Sequence, residues 1–320
     1  MKRILILLMA LCCTSCTALP AEERAFAVAL CIETNGDNWQ VYGRIPGYKT
    51  SGEYLTVQGN GATIQSALAD MDASSPMKVM MSQLRLLVVD IGVAMEDVLW
   101  ALAEELDVRS QCLVAVTEEA AADIMEVLVP QTGSRLSKAM DLLMESRVEQ
   151  GVIPDTQLAD ALRMGERKTP VFARATLQEG RLNLSGAWAA GEWISPEETA
   201  LLTLLMGQGK ERRLTLPEGI AHVAEAKVKT ALDADGTNAR VTLCANVKTS
   251  DIPPDELERA VAQAAVKLLS HLSRNNCDAL GFGREMICRA SDMAQWHTWN
   301  WPARYRDIRW TVEVSLHSPA

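Results

Sequence analysis

Ser75 and Lys78 have the spacing of a catalytic pair, because Ser75-Pro76-Met77-Lys78 fits the S-x-x-K motif of penicillin-recognising enzymes. In those enzymes the serine is a nucleophile, and a helix places the lysine beside it. Pro76 disfavours such a helix, and the sequence lacks the S-D-N and K-T-G motifs that accompany S-x-x-K. We therefore predict that Ser75 and Lys78 are not catalytic.

The other residues that could do chemistry show no active-site pattern. The sequence has no P-loop, H-E-x-x-H, G-x-S-x-G or G-x-G-x-x-G motif. Glu197 and Glu198 are paired carboxylates, but they lie at a predicted helix start, where they favour the helix dipole. No metal-ligand spacing relates the four histidines to one another or to a cysteine: His222, His271, His297 and His317. We predict a protein that is not an enzyme and that has no cofactor and no metal site.

Cys16 is a candidate for covalent modification. Two basic residues precede an apolar run at 4–11, which is far shorter than the roughly 20 residues that span a bilayer. A cysteine that follows such a run and small residues, here Thr14 and Ser15, is typical of a lipobox, in which the thiol receives diacylglycerol before cleavage. We predict that residues 1–16 are a lipoprotein signal peptide and that Cys16 is lipidated.

Two alternatives for this segment stay open. Cys12 and Cys13 lie close to Cys16, and Cys13 occupies the position where a lipobox usually has leucine. Which of the three cysteines carries the lipid is therefore not settled by the sequence. A plain secretory signal would instead be cut near Ala18 or Ala21.

Composition and charge exclude some classes of function. The chain has 320 residues, of which 48% are hydrophobic and 22% are charged, as is usual for globular proteins of more than one domain. Its formal net charge is −10, and removal of Lys2 and Arg3 with a signal peptide makes it −12. Such a surface repels polyphosphate and anionic headgroups, so we expect neither nucleic-acid binding nor purely electrostatic membrane binding.

Hydrophobic periodicity predicts a multidomain α+β fold, in which helices pack on mixed or antiparallel sheets. The first half alternates strands with helices and begins with a hairpin, 24–32 and 38–45, around Asn35-Gly36-Asp37. A charged run that ends in Pro170 is the predicted linker. The predicted divisions are the signal peptide 1–16, an N-terminal α/β region 17–168 of one or two subdomains, and a C-terminal α+β domain 169–320.

A long amphipathic helix is predicted after Pro253-Pro254 and before Asn275-Asn276. Prolines suit a first helical turn, and asparagines tolerate the left-handed conformation of a helix end. We expect its apolar face to pack on an antiparallel sheet of strands 221–232, 239–248 and 308–316. That face comprises Leu257, Val261, Ala265, Leu268 and Leu272.

The tryptophans that follow this helix allow two interpretations. Trp296, Trp299 and Trp301 could fill the core at one end of the domain. They could instead form an aromatic patch for a partner or for the membrane interface, and we take them as the candidate partner-contact patch. Before them, Gly281-Phe282-Gly283 is predicted to be a turn that allows a close backbone approach.

The order of these features resembles a known family. The long helix is followed by D-x-x-G-F-G-R, from Asp278 to Arg284, then by the tryptophan-rich segment and a final alternating strand at 307–316. This order is similar to the C-terminal domain of the Ger(x)C (GerAC) proteins, the C subunits of spore germinant receptors. The first strand, E-R-A-F-A-V-A-L-C-I-E, and the segment from Trp193 to Thr199 extend the resemblance, more weakly, over nearly the whole chain. The family's usual G-C-W-D lipobox is replaced here by S-C-T-A.

The resemblance implies a lipid-anchored, non-catalytic subunit of a spore germinant (nutrient) receptor. It also implies a location on the outer face of the spore inner membrane and assembly with membrane A and B subunits. The residues alone lead only to an anchored binding or assembly module. The alternative is an extracytoplasmic solute-binding lipoprotein, which would need a concave pocket between domains, and small-molecule binding stays an open question here.

Overall fold

The computed structural model describes residues 23–46, 54–105, 107–128, 136–164 and 168–317. The strands, in chain order, are β1 (Arg24–Phe26), β2 (Ala29–Asn35), β3 (Asn38–Pro46), β4 (Tyr54–Gly61), β5 (Lys78–Met80), β6 (Leu86–Asp90), β7 (Leu113–Thr117), β8 (Phe172–Gln178), β9 (Arg181–Ala189), β10 (Glu192–Ile194), β11 (Glu211–Leu216), β12 (Gly219–Leu232), β13 (Asn238–Ser250) and β14 (Arg309–His317). The helices are α1 (Ile64–Ser74), α2 (Met95–Glu104), α3 (Ala121–Val127), α4 (Leu136–Glu149), α5 (Leu158–Met164), α6 (Pro196–Leu205), α7 (Pro254–Arg274), α8 (Phe282–Arg289), α9 (Met293–Trp299) and α10 (Trp301–Arg306).

An eight-stranded mixed sheet forms the larger part of the fold, in the order β10-β9-β8-β7-β6-β2-β3-β4. Its central strands β2, β6, β7 and β8 pair in parallel, and its outer strands are added as antiparallel hairpins. The side chains of β7 are buried along its whole length, without alternation. Continuous burial of this kind is expected where helices cover both faces of a sheet. β1 and β5 form a separate two-stranded parallel sheet.

Helices pack on both faces of the large sheet. Apolar side chains of α1, α2 and α5 join one core with the strand residues Leu30, Ile32 and Leu87. Those of α3 and α4 join the opposite core, which includes Cys31 and Val88. The fold of this region is therefore a helix–sheet–helix sandwich, which confirms the predicted α/β alternation.

Gly59 lets α1 lie directly against the backbone of β4. A Cβ atom at Gly59 would overlap the carbonyl of Ala67 and the backbone nitrogen of Met71. The helix begins at the Thr63 cap, whose hydroxyl accepts a hydrogen bond from the Ser66 N–H at 3.1 Å. A glycine in the strand is thus required by close packing of a helix.

The predicted boundary at 168/169 does not coincide with a break in the fold. β8, β9 and β10 follow this boundary in the chain, yet they belong to the same sheet as β7 and β6. The prediction misplaced them because hairpin signals report local pairing and say nothing about which sheet a hairpin joins. Of the predicted linker, residues 165–167 lie outside the described residues.

A four-stranded sheet, β11-β12-β13-β14, forms the second part of the fold. β11, β12 and β13 are antiparallel, but β14 pairs with β13 in parallel, with Asn238 opposite Arg309 and Asn246 opposite His317. The prediction of a purely antiparallel sheet is therefore wrong at β14. The four helices α7 to α10 lie between β13 and β14 in the chain, and such a crossover returns the chain in the parallel sense.

α7 follows the prediction closely. It runs for 21 residues, and the predicted apolar stripe is buried, with Leu268 at 3% exposure. Arg259 lies on the exposed side, where its Nε donates to the Asp255 carbonyl at 3.1 Å. The helix is nevertheless too polar for a membrane: none of the described helices has the length and apolar character to cross a bilayer.

Candidate functional site

Asp278 organises the chain where α7 gives way to the tryptophan-rich segment. Its side chain is 5% exposed and lies just before α8. Oδ1 accepts hydrogen bonds from the backbone N–H groups of Gly281 at 2.8 Å and Phe282 at 2.9 Å, and Oδ2 accepts one from Gly283 at 2.6 Å. The N–H groups of Phe282 and Gly283 are donors that the start of a helix leaves without partners, so the carboxylate stabilises the start of α8.

Gly281 is required by the backbone conformation at this turn. Its φ is +79°, in the left-handed region that side chains other than glycine rarely adopt. A Cβ there would also lie 3.3 Å from Cδ of Lys168. The predicted close approach at Gly281 is present, but Phe282 and Gly283 are the first residues of α8 and not part of a turn. The sequence motif missed the helix because Asp278, whose carboxylate accepts from the first N–H groups of α8, lies outside the three residues considered.

Aromatic side chains complete the same cluster. Trp301 donates its indole N–H to Oδ2 of Asp278 at 3.3 Å. Tyr305 donates its hydroxyl to the Cys277 carbonyl at 3.1 Å, and its ring lies edge-on to Trp310 at 6.0 Å between centroids. The Phe282 ring lies 5.6 Å from the Trp310 ring. The D-x-x-G-F-G motif and the tryptophan-rich segment therefore form one buried unit, which we call the Asp278 cluster: Cys277, Asp278, Gly281, Phe282, Gly283, Trp301, Tyr305 and Trp310.

Backbone contacts join the Asp278 cluster to the start of the segment that leads into β8. Thr169 donates its N–H to the Asp278 carbonyl at 3.0 Å, and its hydroxyl accepts from the Asp278 N–H at 2.9 Å. The same hydroxyl donates to the Asn276 carbonyl at 3.2 Å. The Asp278 cluster thus fixes the C-terminal helices to the chain that enters the large sheet.

The electrostatics of the Asp278 cluster disfavour reactivity. Burial raises the pKa of Asp278, against the opposing effect of its backbone and indole donors. Burial, with the nearby Asp278 charge, raises the pKa of the Cys277 thiol to about 12. Burial also raises the pKa of the Tyr305 hydroxyl. For Lys168 burial lowers the pKa, and the nearby Arg284 adds to this effect. A thiol that stays protonated is a poor nucleophile, so the arrangement has a structural role.

The prediction of an exposed tryptophan patch is wrong for two of its three members, which are buried. Trp296 and Trp301 are each 3% exposed and belong to the core around α7. Their flat rings fill the end of the domain, which leaves them no surface for a partner. Trp299 is half-buried, and the Arg304 guanidinium lies 5.9 Å from the centre of its ring. A partner contact at Trp299 stays a hypothesis.

The other candidate residues have local partners. Lys78 forms a 2.7 Å ion pair with Asp72, and Ser75 accepts from the Met77 N–H at 3.3 Å where α1 ends. The imidazole of His271 lies 2.9 Å from a carboxylate oxygen of Glu192. Within the described ranges, no group of histidine, cysteine and carboxylate residues is arranged to hold a metal ion. Cys16, with Cys12 and Cys13, lies outside the described residues.

The comparisons with known proteins match both the sequence and the fold. Residues 18–175 match the family model described as spore germination protein N-terminal domain. The solved structure titled "Crystal Structure of the GerBC protein" superposes with a TM-score of 0.55 at 12% sequence identity, over 91% of this chain and 97% of that chain. At such low identity the second match shows the fold alone. No curated protein matches the sequence significantly. Residues 18–175 therefore form a spore germination N-terminal domain of the GerAC family, and most of the chain shares the fold of GerBC.

Proposed function

We propose that the protein is the lipid-anchored C subunit of a spore germinant receptor. The observation that carries this proposal is the family match over residues 18–175. The fold it shares with GerBC over 91% of its length supports it, because the shared fold extends well beyond the residues that match the family model. In this proposal the protein acts in assembly and signalling with membrane A and B subunits, on the outer face of the spore inner membrane.

The role is non-catalytic in this proposal. Asp278 and Gly281, two residues of the motif on which the family resemblance rests, have structural roles at the start of α8. Buried thiols with raised pKa values, such as Cys112 and Cys277, are unsuited to attack a substrate. A subunit of this kind supplies surfaces for partners.

The anchor is proposed to be a diacylglyceryl group on Cys16. Each buried methylene of an acyl chain contributes about 0.8 kcal/mol to membrane binding, so two or three chains hold a protein through washing in high salt. The acidic chain, at net charge −10, would gain little from anionic headgroups without such an anchor.

One experiment on spores tests the anchor and the assembly together. Cys16→Ala should move the protein from the spore membrane fraction to the soluble fraction, and it should reduce co-purification with the A and B subunits and the response to nutrient. Cys12→Ala and Cys13→Ala are matched controls that should stay at the membrane. Unchanged membrane retention of Cys16→Ala would contradict the anchor. Normal germination of spores that lack the whole protein would contradict the receptor role.

A further inference from the structure

A groove with an apolar floor runs between α4 and the large sheet. Its volume is about 730 Å³, within the range of sites that hold small organic molecules. Leu86 and Leu184 of the sheet form part of its floor, and Met140 and Met144 of α4 form one wall.

The lining exposes apolar surface that is left uncovered by the part of the chain that the structure describes. Leu142 is 55% exposed, although it lies on a helix that buries Leu136, Met140 and Met144. Methionine side chains adapt to ligands of varied shape. A groove of this volume lined by leucine and methionine holds water poorly, so an alkyl chain would gain by replacing water there.

The charged side chains that line the groove are all positive. Its charged lining residues are Arg147 and Arg181, in a protein with a net charge of −10. Neither arginine has an ion-pair partner among the described residues, whereas Arg85, Arg174 and Arg289 are paired with carboxylates. A guanidinium presents N–H donors in a fork that matches a carboxylate. The groove is therefore suited to a negative head group next to an apolar chain.

A second groove shows that this charge pattern is particular to the first. It has a volume of about 300 Å³ and lies between α6, β11 and α7, where Leu201, Leu214 and Leu268 form an apolar floor. Its charged lining residues are Glu197, Glu198, Glu218 and Lys267. This second groove has a mainly negative rim, which would repel the ligand that the first would accept.

We propose that the groove beside α4 binds a single-chain anionic amphiphile, a fatty carboxylate, with its alkyl chain on the leucine and methionine floor and its carboxylate at Arg147 and Arg181. The alkyl chain supplies most of the affinity, because exposed ion pairs contribute little. The two arginines select the sign of the head group. This site is independent of the lipid anchor and of the assembly with membrane subunits.

Displacement of a fluorescent fatty acid measures the site. The chain without residues 1–16 is titrated with cis-parinaric acid, and dodecanoate, dodecanol and dodecyltrimethylammonium then compete for the probe. We expect saturable binding and displacement in the order dodecanoate, dodecanol, dodecyltrimethylammonium. Phosphatidylglycerol vesicles form a further arm of the competition. Displacement by the vesicles without displacement by dodecanoate would reassign the site to a membrane lipid and overturn the proposal.

Paired variants locate the binding. Arg147→Glu/Arg181→Glu should weaken dodecanoate binding by about tenfold, equivalent to about 1.4 kcal/mol, and leave dodecanol binding nearly unchanged. Arg163→Glu/Arg309→Glu makes the same change of net charge at two exposed residues away from the groove and should have no effect. Equal dodecanoate affinity in both double variants would overturn the role of the arginines.

Filling the groove separates a small ligand from a protein partner. Ala139→Trp should abolish probe binding, whereas Ser146→Trp, on the exposed side of α4, should retain it. Unchanged melting temperatures would show that both variants fold. If Ala139→Trp keeps the probe but loses co-purification with membrane subunits, the groove is a protein contact and the proposal is wrong.

Discussion

The two main sheets of this protein bury their residues in different ways. The large sheet is covered by helices on both faces, and the strand β6 is buried at every position except the last, Asp90. The small sheet is covered by α7 on one face, and β13 alternates between buried and exposed positions along most of its length. The sequence of β6 is therefore a continuous apolar run, whereas in β13 apolar residues occur at every second position.

This difference shows where the protein offers surface. On the face of the small sheet that α7 does not cover, strand residues such as Lys248 and His222 are exposed. The large sheet offers an apolar groove where α4 packs on it. The two regions meet where Thr169 contacts the Asp278 cluster. Substitutions in either region therefore test whether the two sheets differ in burial as described.

The largest expected effect is at the covered face of the small sheet. Leu268→Asp should unfold the C-terminal region, because it removes about 1.5 to 3 kcal/mol of apolar burial and adds an unpaired buried charge. Since domains are stable by about 5 to 15 kcal/mol, this loss is severe. Thermal melting of the chain without residues 1–16 measures it.

Arg259→Ala is the control for that change. Arg259 lies on the exposed side of the same helix, and exposed substitutions change the free energy of unfolding by less than about 0.5 kcal/mol. Equal melting temperatures for Leu268→Asp and Arg259→Ala would contradict the assignment of the buried face.

An intermediate effect is expected where the two regions meet. Asp278→Ala leaves the N–H groups of Phe282 and Gly283 and the Trp301 indole without the carboxylate that accepts from them, so it should lower the free energy of unfolding by about 2 to 4 kcal/mol. Asp292→Ala removes the exposed cap of α9, which accepts from the Gln295 N–H, and should lower it by about 1 kcal/mol. Denaturant unfolding compares them. A smaller loss for Asp278→Ala than for Asp292→Ala would show that the Asp278 cluster does not hold the regions together.

The smallest effect is a difference in thiol reactivity between the sheets. Cys31 of β2 is 1% exposed, and burial raises its pKa, so less thiolate forms at a given pH. Cys244 of β13 is half-buried, and Cys288 is exposed. Iodoacetamide at mildly alkaline pH should label Cys288 first, Cys244 next and Cys31 only after unfolding, as mass spectrometry can follow. Labelling of Cys31 at the rate of Cys244 would mean that the large sheet opens as readily as the small one.

The sequence by itself determined the local elements whose signals lie within a few residues. The period of apolar residues located α7 and its buried face, because each of those positions faces the same side of one helix. The Glu179-Gly180 turn located the hairpin of β8 and β9, since both residues adopt positive φ there. The capping serine, Ser195, likewise accepts from the Glu198 N–H at the start of α6.

The tertiary structure alone decided which elements share a sheet and which polar residues are buried. β8 to β10 joined the large sheet through pairing with β7, which no local pattern records. β14 became parallel to β13 because helices intervene. Arg44, which looks like a surface residue in sequence, is 4% exposed and donates to the Leu128 carbonyl near the end of α3. Asp278 gained its role from groups distant in sequence, Trp301 at 23 residues and Thr169 at 109 residues, and such contacts depend on the packed fold.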